Sequence, residues 1–270
     1  MIINQSDDLM FEKFVQYCGE IGVDTNIIKQ VASNNMAKLK QSKVIRTELK
    51  LNDQYERRWY ASLASGSKPY YEVYDTDYYL AETFVCWAFY SKKYIKVLLS
   101  DKSLINRSIF SDLQSITSVT DLGCGIGLTT ASFKQLFPNI PVVGTNIEQT
   151  TQYKICKKFS QDYGFQMQTD LSGIKPGGLV FASEYFEHIE SPIEHLIDVI
   201  KSVKPSRLLI ANAFGAKAVG HFNFYKFNGK QYTGKQISKI FNDALRKFGY
   251  EKVPTKLWNS RPTYWRLKAK

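Results

Sequence analysis

The sequence lacks any run of 18 or more apolar residues, and no basic residue occurs among its first eight. The first absence argues against a membrane-spanning helix, and the second argues against a secretory signal. The four cysteines, Cys18, Cys86, Cys124 and Cys156, are widely separated and form no C-x-x-C pair. We therefore expect neither a zinc site nor a disulfide framework, no contact with a membrane, and a reducing, cytoplasmic setting.

Acidic residues are nearly missing from one end of the chain. Residues 201–270 contain 16 basic residues (Lys and Arg) but only 2 acidic residues (Asp and Glu). Residues 1–118 contain 15 basic and 14 acidic residues, and residues 119–200 contain 5 basic and 9 acidic residues. A segment this basic is the electrostatic signature of a polyanionic partner such as a nucleic acid. A solvated, solubilising face is the alternative. The sequence leaves the oligomeric state open.

The chain changes character near residue 115. Residues 1–114 are predicted to form a helical region, with helices starting near residues 7 and 25, a loop at 62–69 and a long apolar helix over 80–99. From Val119 onward, strands and helices alternate, which indicates an α/β domain over 115–270 with a doubly wound parallel sheet. The predicted strands are 117–122, 140–145, 165–169, 178–183 and 207–213. A helix at 234–248 and a β-hairpin formed by 251–258 and 263–267 complete the domain.

A glycine-rich stretch, Asp121-Leu122-Gly123-Cys124-Gly125-Ile126-Gly127, joins the first of these strands to a helix. Glycines have no Cβ, so a cofactor can approach such a loop closely. The dinucleotide fingerprint G-x-G-x-x-G is excluded, because its third glycine would fall on Leu128. A phosphate-binding P-loop is excluded as well, because no Lys follows. A tight turn without a ligand is the alternative.

This D-L-G-C-G-x-G stretch resembles motif I of the class I S-adenosylmethionine (AdoMet) methyltransferases. The resemblance covers about residues 115–270. It implies a seven-stranded, mostly parallel, Rossmann-like sheet that ends in the hairpin, with AdoMet at the carboxyl ends of the strands. The residues that it assigns to the cofactor are Asp121, Gly123, Cys124, Gly125, Gly127, Asn146, Ile147, Asp170 and Leu171.

Three of these assignments carry specific roles in the family. The resemblance implies that Asp121 takes the methionine end of AdoMet and that Asp170 accepts from the adenine amino group. Asn146 stands where the family usually has an acid that binds both ribose hydroxyls. An amide can still accept one hydroxyl hydrogen bond, but it lacks the charge-assisted pair, and Glu148 could compensate.

The fourth strand ends in Glu184-Tyr185-Phe186-Glu187-His188. This stretch lacks the two prolines of the amino-methylating DNA enzymes, and no cysteine follows a proline as in the C5-cytosine enzymes. It resembles the E-x-x-E-H motif of many methyltransferases, which implies catalytic roles for Glu184, Glu187, His188 and, after the fifth strand, His221. In one subset, including small-RNA 2′-O-methyltransferases, such residues hold Mg²⁺ or Mn²⁺. We favour the alternative without a metal, in which the pair Glu187-His188 caps the following helix and His221 acts as a base or lines the pocket.

Three functions remain open. The first, favoured here, is an AdoMet-dependent methyltransferase of nucleic acids or nucleotides, because aromatic residues are interleaved with the basic ones of 201–270, among them Phe222, Tyr225, Trp258, Tyr264 and Trp265. The second is a small-molecule O- or N-methyltransferase in which the tyrosine-rich segment 70–79 and the helix that follows it form a lid over an apolar acceptor. The third is a non-catalytic methyltransferase-like subunit, which only Asn146 supports.

Overall fold

The computed structural model describes residues 2–41, 53–66, 72–99, 109–254 and 262–268 of the 270-residue chain. The described segments before residue 115 are helical. The helices are α1 (Asp7–Glu20), α2 (Thr25–Gln41), α3 (Asp53–Ser65), α4 (Asp77–Cys86), α5 (Lys92–Leu98) and the short α6 (Ile109–Asp112). A π-helical turn, Trp87–Ser91, joins α4 to α5.

The long apolar helix predicted over 80–99 is present as α4, the π-helical turn and α5. It begins at Asp77, because the Thr76 side chain accepts a hydrogen bond from the backbone N–H of Tyr79 and so caps the first turn. The loop predicted at 62–69 is wrong in its first half, since α3 continues to Ser65. Leu63 packs against the hydrophobic core there, and this packing overrides the loop-like composition. Residues 67–69 lie outside the described part of the chain.

Strands and helices alternate from Val119 onward, as predicted. The strands are β1 (Val119–Leu122), β2 (Val142–Thr145), β3 (Gln166–Gln168), β4 (Leu179–Ser183), β5 (Arg207–Ala211), β6 (Phe224–Phe227), β7 (Lys230–Thr233), β8 (Tyr250–Val253) and β9 (Thr263–Leu267). The helices are α7 (Leu128–Leu136), α8 (Thr151–Tyr163), α9 (Pro192–Val203) and α10 (Gly234–Lys247).

The seven-stranded sheet has the order β3-β2-β1-β4-β5-β9-β8, which confirms the predicted fold class. β1 to β5 are parallel to one another, whereas β9 pairs antiparallel with both β5 and β8. The turn of the predicted closing hairpin, residues 255–261, lies outside the described ranges. Because the order reverses at β1, the carboxyl ends of β1 and β4 flank the crevice in which such sheets bind ligands.

The two faces of the sheet belong to different hydrophobic clusters. Phe181 of β4 packs on Phe133 of α7, with 5.1 Å between ring centroids. Its neighbours Val180 and Ala182 point to the other face, where α9 and α10 pack. Successive side chains alternate across a strand, so helices cover both faces.

The N-terminal helices continue the core on the Phe181 side. Phe14 of α1 stacks on Phe84 of α4 at 5.5 Å between centroids, and both belong to the cluster that contains Phe133 and Phe181. This packing brings α4 and the π-helical turn to the sheet. The division into domains 1–114 and 115–270 stays a prediction. Among the helices that the structure describes, none combines the length and hydropathy that crossing a membrane requires.

A small antiparallel sheet formed by β6 and β7 was not predicted. Its turn contains Asn228 and Gly229, with φ of +48° and +70°. Asn-Gly between short strands is a strong hairpin signal, so the sequence did contain the information.

Candidate functional site

Side chains pack directly on the backbone of the glycine loop at the end of β1. Gly123 and Gly125 have φ of +62° and +55°. A Cβ at Gly123 would collide with the ring of Tyr185, and a Cβ at Gly125 would collide with the methyl group of Thr83 on α4. Both backbone conformation and space therefore require glycine at these positions.

The carboxyl group of Asp121 lies beside this loop and is buried, with the residue 2% exposed. One oxygen accepts a hydrogen bond from the Thr130 hydroxyl at 2.7 Å. Burial raises the pKa of Asp121 to about 7, although the Thr130 hydrogen bond lowers it. No cationic side chain of the described residues contributes to this shift. A carboxylate so placed favours a ligand that brings its own positive charge.

Two cavities open on the glycine loop. The helix-side cavity, of about 410 Å³, is lined by residues of α3, α4 and the π-helical turn together with Asp121 and His221. The strand-side cavity, of about 660 Å³, is lined by residues that follow β2 and β3, including Asn146, Ile147 and Glu148. The residues shared by both cavities are Tyr79, Gly123, Gly125, Gln152, Glu184 and His188. One ligand lying over the glycine loop would therefore extend into both.

The four residues predicted to be catalytic meet at the carboxyl ends of β4 and β5. We call Glu184, Glu187, His188 and His221 the acid–imidazole cluster. Ligand atoms of Glu184, Glu187 and His221 lie within 4.8 Å of one another. The rings of His188 and His221 are 4.7 Å apart between centroids. Glu184 and His188 line both cavities, and His221 lines the helix-side cavity.

The two acids of the cluster are in unusual states. Glu187 is fully buried; one oxygen accepts from the backbone N–H of Ala213 at 2.6 Å, and the other has no partner among the described residues. Burial and the neighbouring Glu184 carboxylate raise the pKa of Glu187 well above its ordinary value. Glu184 has a φ of +51°, a conformation that side-chain-bearing residues rarely adopt. Such backbone strain is typical of functional sites.

One imidazole of the cluster, that of His188, is neutral at physiological pH. Burial and the neighbouring His221 lower the pKa of His188 well below its usual range. The Nδ1 of His188 lies 3.1 Å from the Tyr74 hydroxyl. The Nδ1 of His221 lies 2.9 Å from the Ala216 carbonyl oxygen, which can only accept, so Nδ1 carries the proton.

Asn146 lines the strand-side cavity, and its amide makes a contact that the sequence did not reveal. Its Nδ2 donates a hydrogen bond to the Gly125 carbonyl at 2.7 Å, and its Oδ1 accepts from the backbone N–H of Ile147 at 2.8 Å. A carboxylate could not donate to Gly125. The departure from the acid expected at this position thus has a structural reason.

Three residues assigned to the cofactor do not line either cavity, and their assignment stays a prediction. Gly127, with a φ of +90°, begins α7 and packs against Cys156 and Phe165. The exposed Asp170 turns away, because its carboxylate accepts from the backbone N–H of Ser172 at 2.8 Å and from its hydroxyl. Leu171 packs on the hydrophobic core. Their neighbour Thr169 lines the strand-side cavity instead.

Cys124 lines the helix-side cavity, and its sulfur lies 3.6 Å from that of Cys156. All four cysteines are free thiols.

The sequence suggested a lid made of segment 70–79 and the helix that follows it, but not that α3 would also line the helix-side cavity. The lining residues contributed by α3, α4 and the π-helical turn include Glu56, Tyr78, Glu82, Cys86, Trp87 and Tyr90. A π-helical turn is often associated with a functional site, but it is not readable from residue periodicity. The tyrosine-rich composition near residue 78 was the one available signal.

The strand order, the reversed β9 and the glycine loop after β1 together define the class I AdoMet-dependent methyltransferase fold. Among solved structures, this chain is similar to the mitomycin 7-O-methyltransferase MmcR, with 11% identity and a TM-score of 0.50 over 82% of this chain and 70% of that one. It is also similar to the CurJ carbon methyltransferase, with 13% identity and a TM-score of 0.54 over 96% of this chain and 80% of that one. Likeness at these identities establishes the fold. No family model matches the chain, and a comparison with curated proteins found no match.

Proposed function

We propose that the protein is an AdoMet-dependent methyltransferase that acts on a small molecule. The observation that carries this proposal is the junction of the two cavities over the glycine loop, between Asp121 and the acid–imidazole cluster. A cofactor and an acceptor could meet there out of bulk water, which is most of what methyl transfer requires of a protein.

The residues fit AdoMet at the glycine loop. Asp121 would hold the cofactor's ammonium group, because its buried carboxyl has no cationic partner among the described residues. Glu148 is exposed and lines the strand-side cavity. It would accept a hydrogen bond from a ribose hydroxyl, the role of the acid that the resemblance leads one to expect at position 146. Asn146 would contribute through its Oδ1. When bound, AdoMet supplies an electrophilic methyl group.

His221 is placed to remove the acceptor's proton. It lines the helix-side cavity, and its Nδ1 donates a hydrogen bond to the Ala216 carbonyl, so Nε2 would be the nitrogen that takes up the acceptor's proton. Glu184, at the boundary of the two cavities, would orient the acceptor group by accepting its hydrogen bond. Neutral His188, beside Tyr74, completes the wall at that point.

The set Glu184, Glu187 and His221 also fits a divalent cation, an arrangement that the sequence did not favour. The partnerless oxygen of Glu187 is buried beside a second carboxylate, and a cation would neutralise both. These three residues would hold the ion, which would polarise an acceptor hydroxyl. A proton shared between the two carboxyls satisfies the same buried charge without a metal.

The charge of the helix-side cavity disfavours a nucleic-acid acceptor. Four acids line it (Glu56, Glu82, Asp121 and Glu184), and Lys217 is the only Lys or Arg among the described residues that does so. Phosphates would be repelled by such a wall. Apart from Lys217, the basic residues of 201–270 that the structure describes do not line this cavity, and Lys226, for example, bonds Glu190 at 2.9 Å.

The aromatic residues of the basic segment give a nucleic acid little to stack on. The rings of Phe222, Tyr225, Tyr264 and Trp265 are at most 7% exposed and belong to the core. Phe224 is 54% exposed, and Trp258 lies outside the described residues. The basic segment still favours a nucleic acid as the second candidate acceptor. Such an acceptor would bind to the basic surface through its phosphates rather than place its bases in the cavity. The non-catalytic alternative loses its support, since the Gly125 contact explains Asn146.

Labelled AdoMet offered with a metabolite extract, total RNA and DNA tests the proposal. We expect label in the small-molecule fraction. Label confined to RNA or DNA, with binding that weakens steeply as salt rises, would establish the second candidate instead. S-Adenosylhomocysteine binding without label in any fraction would revive the non-catalytic alternative.

Calorimetry with S-adenosylhomocysteine tests the cofactor site separately. Asp121→Asn should weaken binding about ten- to hundredfold, the value of a charge-assisted hydrogen bond. Asp198→Asn is the matched control, because it makes the same chemical change at an exposed position on α9 outside both cavities, and it should bind as the wild type does. Unchanged binding by Asp121→Asn would contradict the assignment.

A further inference from the structure

Lysines collect at the end of the seven-stranded sheet that is opposite to the two cavities. β1 to β5 all run in one direction, so their amino ends lie together and their carboxyl ends, where the cavities lie, form the other end of the sheet. We use the name lysine patch for five exposed lysines at the amino end: Lys175, Lys201, Lys204, Lys247 and Lys268.

Backbone hydrogen bonds hold together the segments that carry these lysines. The N–H of Gly177 donates to the Lys204 carbonyl at 3.0 Å, which joins the loop before β4 to the end of α9. The N–H of Leu267 donates to the Ser206 carbonyl at 3.0 Å, which joins the end of β9 to the start of β5. α10 ends at Lys247, and β8, which follows it, pairs with β9. The patch is therefore one surface built from four segments.

The charge of the lysine patch is not balanced by acids of the same region. Asp243 is bound by Arg246 at 2.7 Å, and Glu251 is bound by Arg266 at 2.7 Å. None of the five lysines forms an ion pair with a described residue. The arginines at this end thus use up these acids, and the lysines leave a positive surface.

The helix dipoles account for only part of the patch. Lys201 and Lys247 lie in the last turns of α9 and α10, and Lys204 follows α9 directly, where a cation stabilises a helix. Lys175 and Lys268 lie in a loop and after a strand, so no helix explains them. A positive surface that extends beyond the helix ends indicates an anionic partner.

Two exposed apolar side chains lie within the patch. Phe248 follows Lys247 and is 37% exposed, and Leu267 precedes Lys268 and is 43% exposed. A Cβ at Gly249 would lie 3.6 Å from the Leu267 side chain, so Leu267 sits beside the turn that follows Phe248. Lysines around exposed Phe and Leu are the composition that binds anionic membrane interfaces: the cations attract the headgroups, and the apolar groups insert.

A nucleic acid fits this surface less well. Leu267 has no ring with which to stack on a base, and lysine lacks the planar guanidinium group that binds a phosphate through two hydrogen bonds. Arg246 and Arg266, which have that group, are engaged by acids. A nucleic acid bound here would also lie at the far end of the sheet from the acid–imidazole cluster.

We propose that the lysine patch, with Phe248 and Leu267, docks the protein on a membrane that is rich in anionic phospholipids. The lysines lie against the headgroups, and the two apolar side chains insert between them. Both cavities open at the opposite end of the sheet and stay accessible in the docked protein. Such binding is peripheral and requires no spanning helix, so it departs from the expectation of no membrane contact that the lack of a long apolar run suggested.

Vesicle co-sedimentation of the whole chain tests the docking. The vesicles contain either phosphatidylcholine alone or equal parts of phosphatidylcholine and phosphatidylserine. We expect the affinity for the anionic vesicles to be about tenfold higher or more, and to fall steeply as salt shortens the Debye length. S-Adenosylhomocysteine affinity should be the same with and without vesicles, because the cavities lie at the other end.

Two variants separate the charges from the apolar contact. The double variant Lys175→Gln/Lys268→Gln, outside the helices, should bind anionic vesicles about 25-fold more weakly, at about fivefold per lysine. Lys29→Gln/Lys154→Gln, at exposed positions on α2 and α8, removes the same charge and should bind as the wild type does. Leu267→Thr should weaken vesicle binding about three- to tenfold. Thermal unfolding shows that each variant is folded.

The inference is overturned if neutral and anionic vesicles bind alike, if neither binds, or if the two double variants bind anionic vesicles equally. Tighter binding of a single-stranded RNA oligonucleotide than of anionic vesicles at the same salt would overturn it as well, and would make the patch a nucleic-acid surface. The docking does not depend on the proposed methyltransferase function, so a failure of S-adenosylhomocysteine to bind would leave it standing.

Discussion

The hydrogen bond from the Asn146 amide to the Gly125 carbonyl makes an unusual prediction about the substitution Asn146→Asp. In the methyltransferases that this chain resembles, an acid at this position binds both ribose hydroxyls. On that ground alone, Asn146→Asp should strengthen cofactor binding. The structure predicts the opposite, because Asp has no N–H with which to hold Gly125.

The magnitude follows from the geometry of the contact. The amide nitrogen lies 2.7 Å from the Gly125 oxygen, and the side chain is half-buried. Replacing this donor by a carboxylate oxygen leaves the carbonyl without its partner and adds repulsion between two acceptors. Such a loss costs about 1–3 kcal/mol. Because Gly125 lines both cavities, a displaced loop should weaken S-adenosylhomocysteine binding by about five- to hundredfold.

Calorimetry at pH 7.5 on the wild type and Asn146→Asp measures the effect. Asn223→Asp is the matched control: it makes the same change of charge at an exposed position. Its binding should equal that of the wild type, and thermal unfolding should show that both variants are folded. Tighter binding by Asn146→Asp would refute the reasoning and show that the ribose contact outweighs the loop contact.

Three further predictions concern the charges of the site and the core. Only ionised Asp121 can bind an ammonium group, and its pKa is about 7. The affinity for S-adenosylhomocysteine should therefore fall about eightfold from pH 7.5 to pH 6.0, a window below the titration of an α-amino group. Asp121→Asn should show no such dependence on pH, and a flat wild-type profile would contradict the role of Asp121. Titration with Mn²⁺ should show one site that Glu187→Gln removes if the acid–imidazole cluster holds a metal, whereas heat that persists in that variant would place the ion elsewhere. Asp112 is buried and accepts hydrogen bonds from Arg207 at 2.7 Å and from the Tyr264 hydroxyl at 2.6 Å. Asp112→Asn should lower the free energy of unfolding by about 3–5 kcal/mol, measured by thermal unfolding, and leave S-adenosylhomocysteine affinity unchanged. An unaltered Tm would show that the buried ion pair does not stabilise the fold.

Most of the sheet was predictable because its strands carry local signals. Buried parallel strands read as short apolar runs, and β1, β4 and β5 fall where those runs occur. The acid–imidazole cluster was also predictable, since its members follow the ends of β4 and β5, and strand ends of a parallel sheet meet at one edge. The hairpin of β6 and β7 carried a signal at Asn228-Gly229 that was overlooked.

The roof of the helix-side cavity was predictable only in part, since the sequence suggested a lid made of segment 70–79 and the following helix but gave no sign of α3. Glu56, Glu82 and Trp87 reach the site only because the N-terminal helices pack on the sheet through Phe14 and Phe84. No periodicity in a helix tells which distant loop it will cover. The sequence also could not show which aromatic rings of the basic segment are buried. Their spacing among basic residues suggested stacking on bases, but the structure places most of those that it describes in the core.

The sequence by itself determined the order of strands and helices, the glycine loop and the acids at the strand ends, because hydrophobic period, glycine and position along a strand are local properties. Only the tertiary structure decided what those groups contact: that Asn146 holds Gly125, that Asp170 accepts hydrogen bonds from Ser172, and that α3 and α4 line an acidic, aromatic cavity beside the loop. Contacts between residues far apart in the chain depend on how whole elements pack, and packing is settled by the complete core rather than by any one segment.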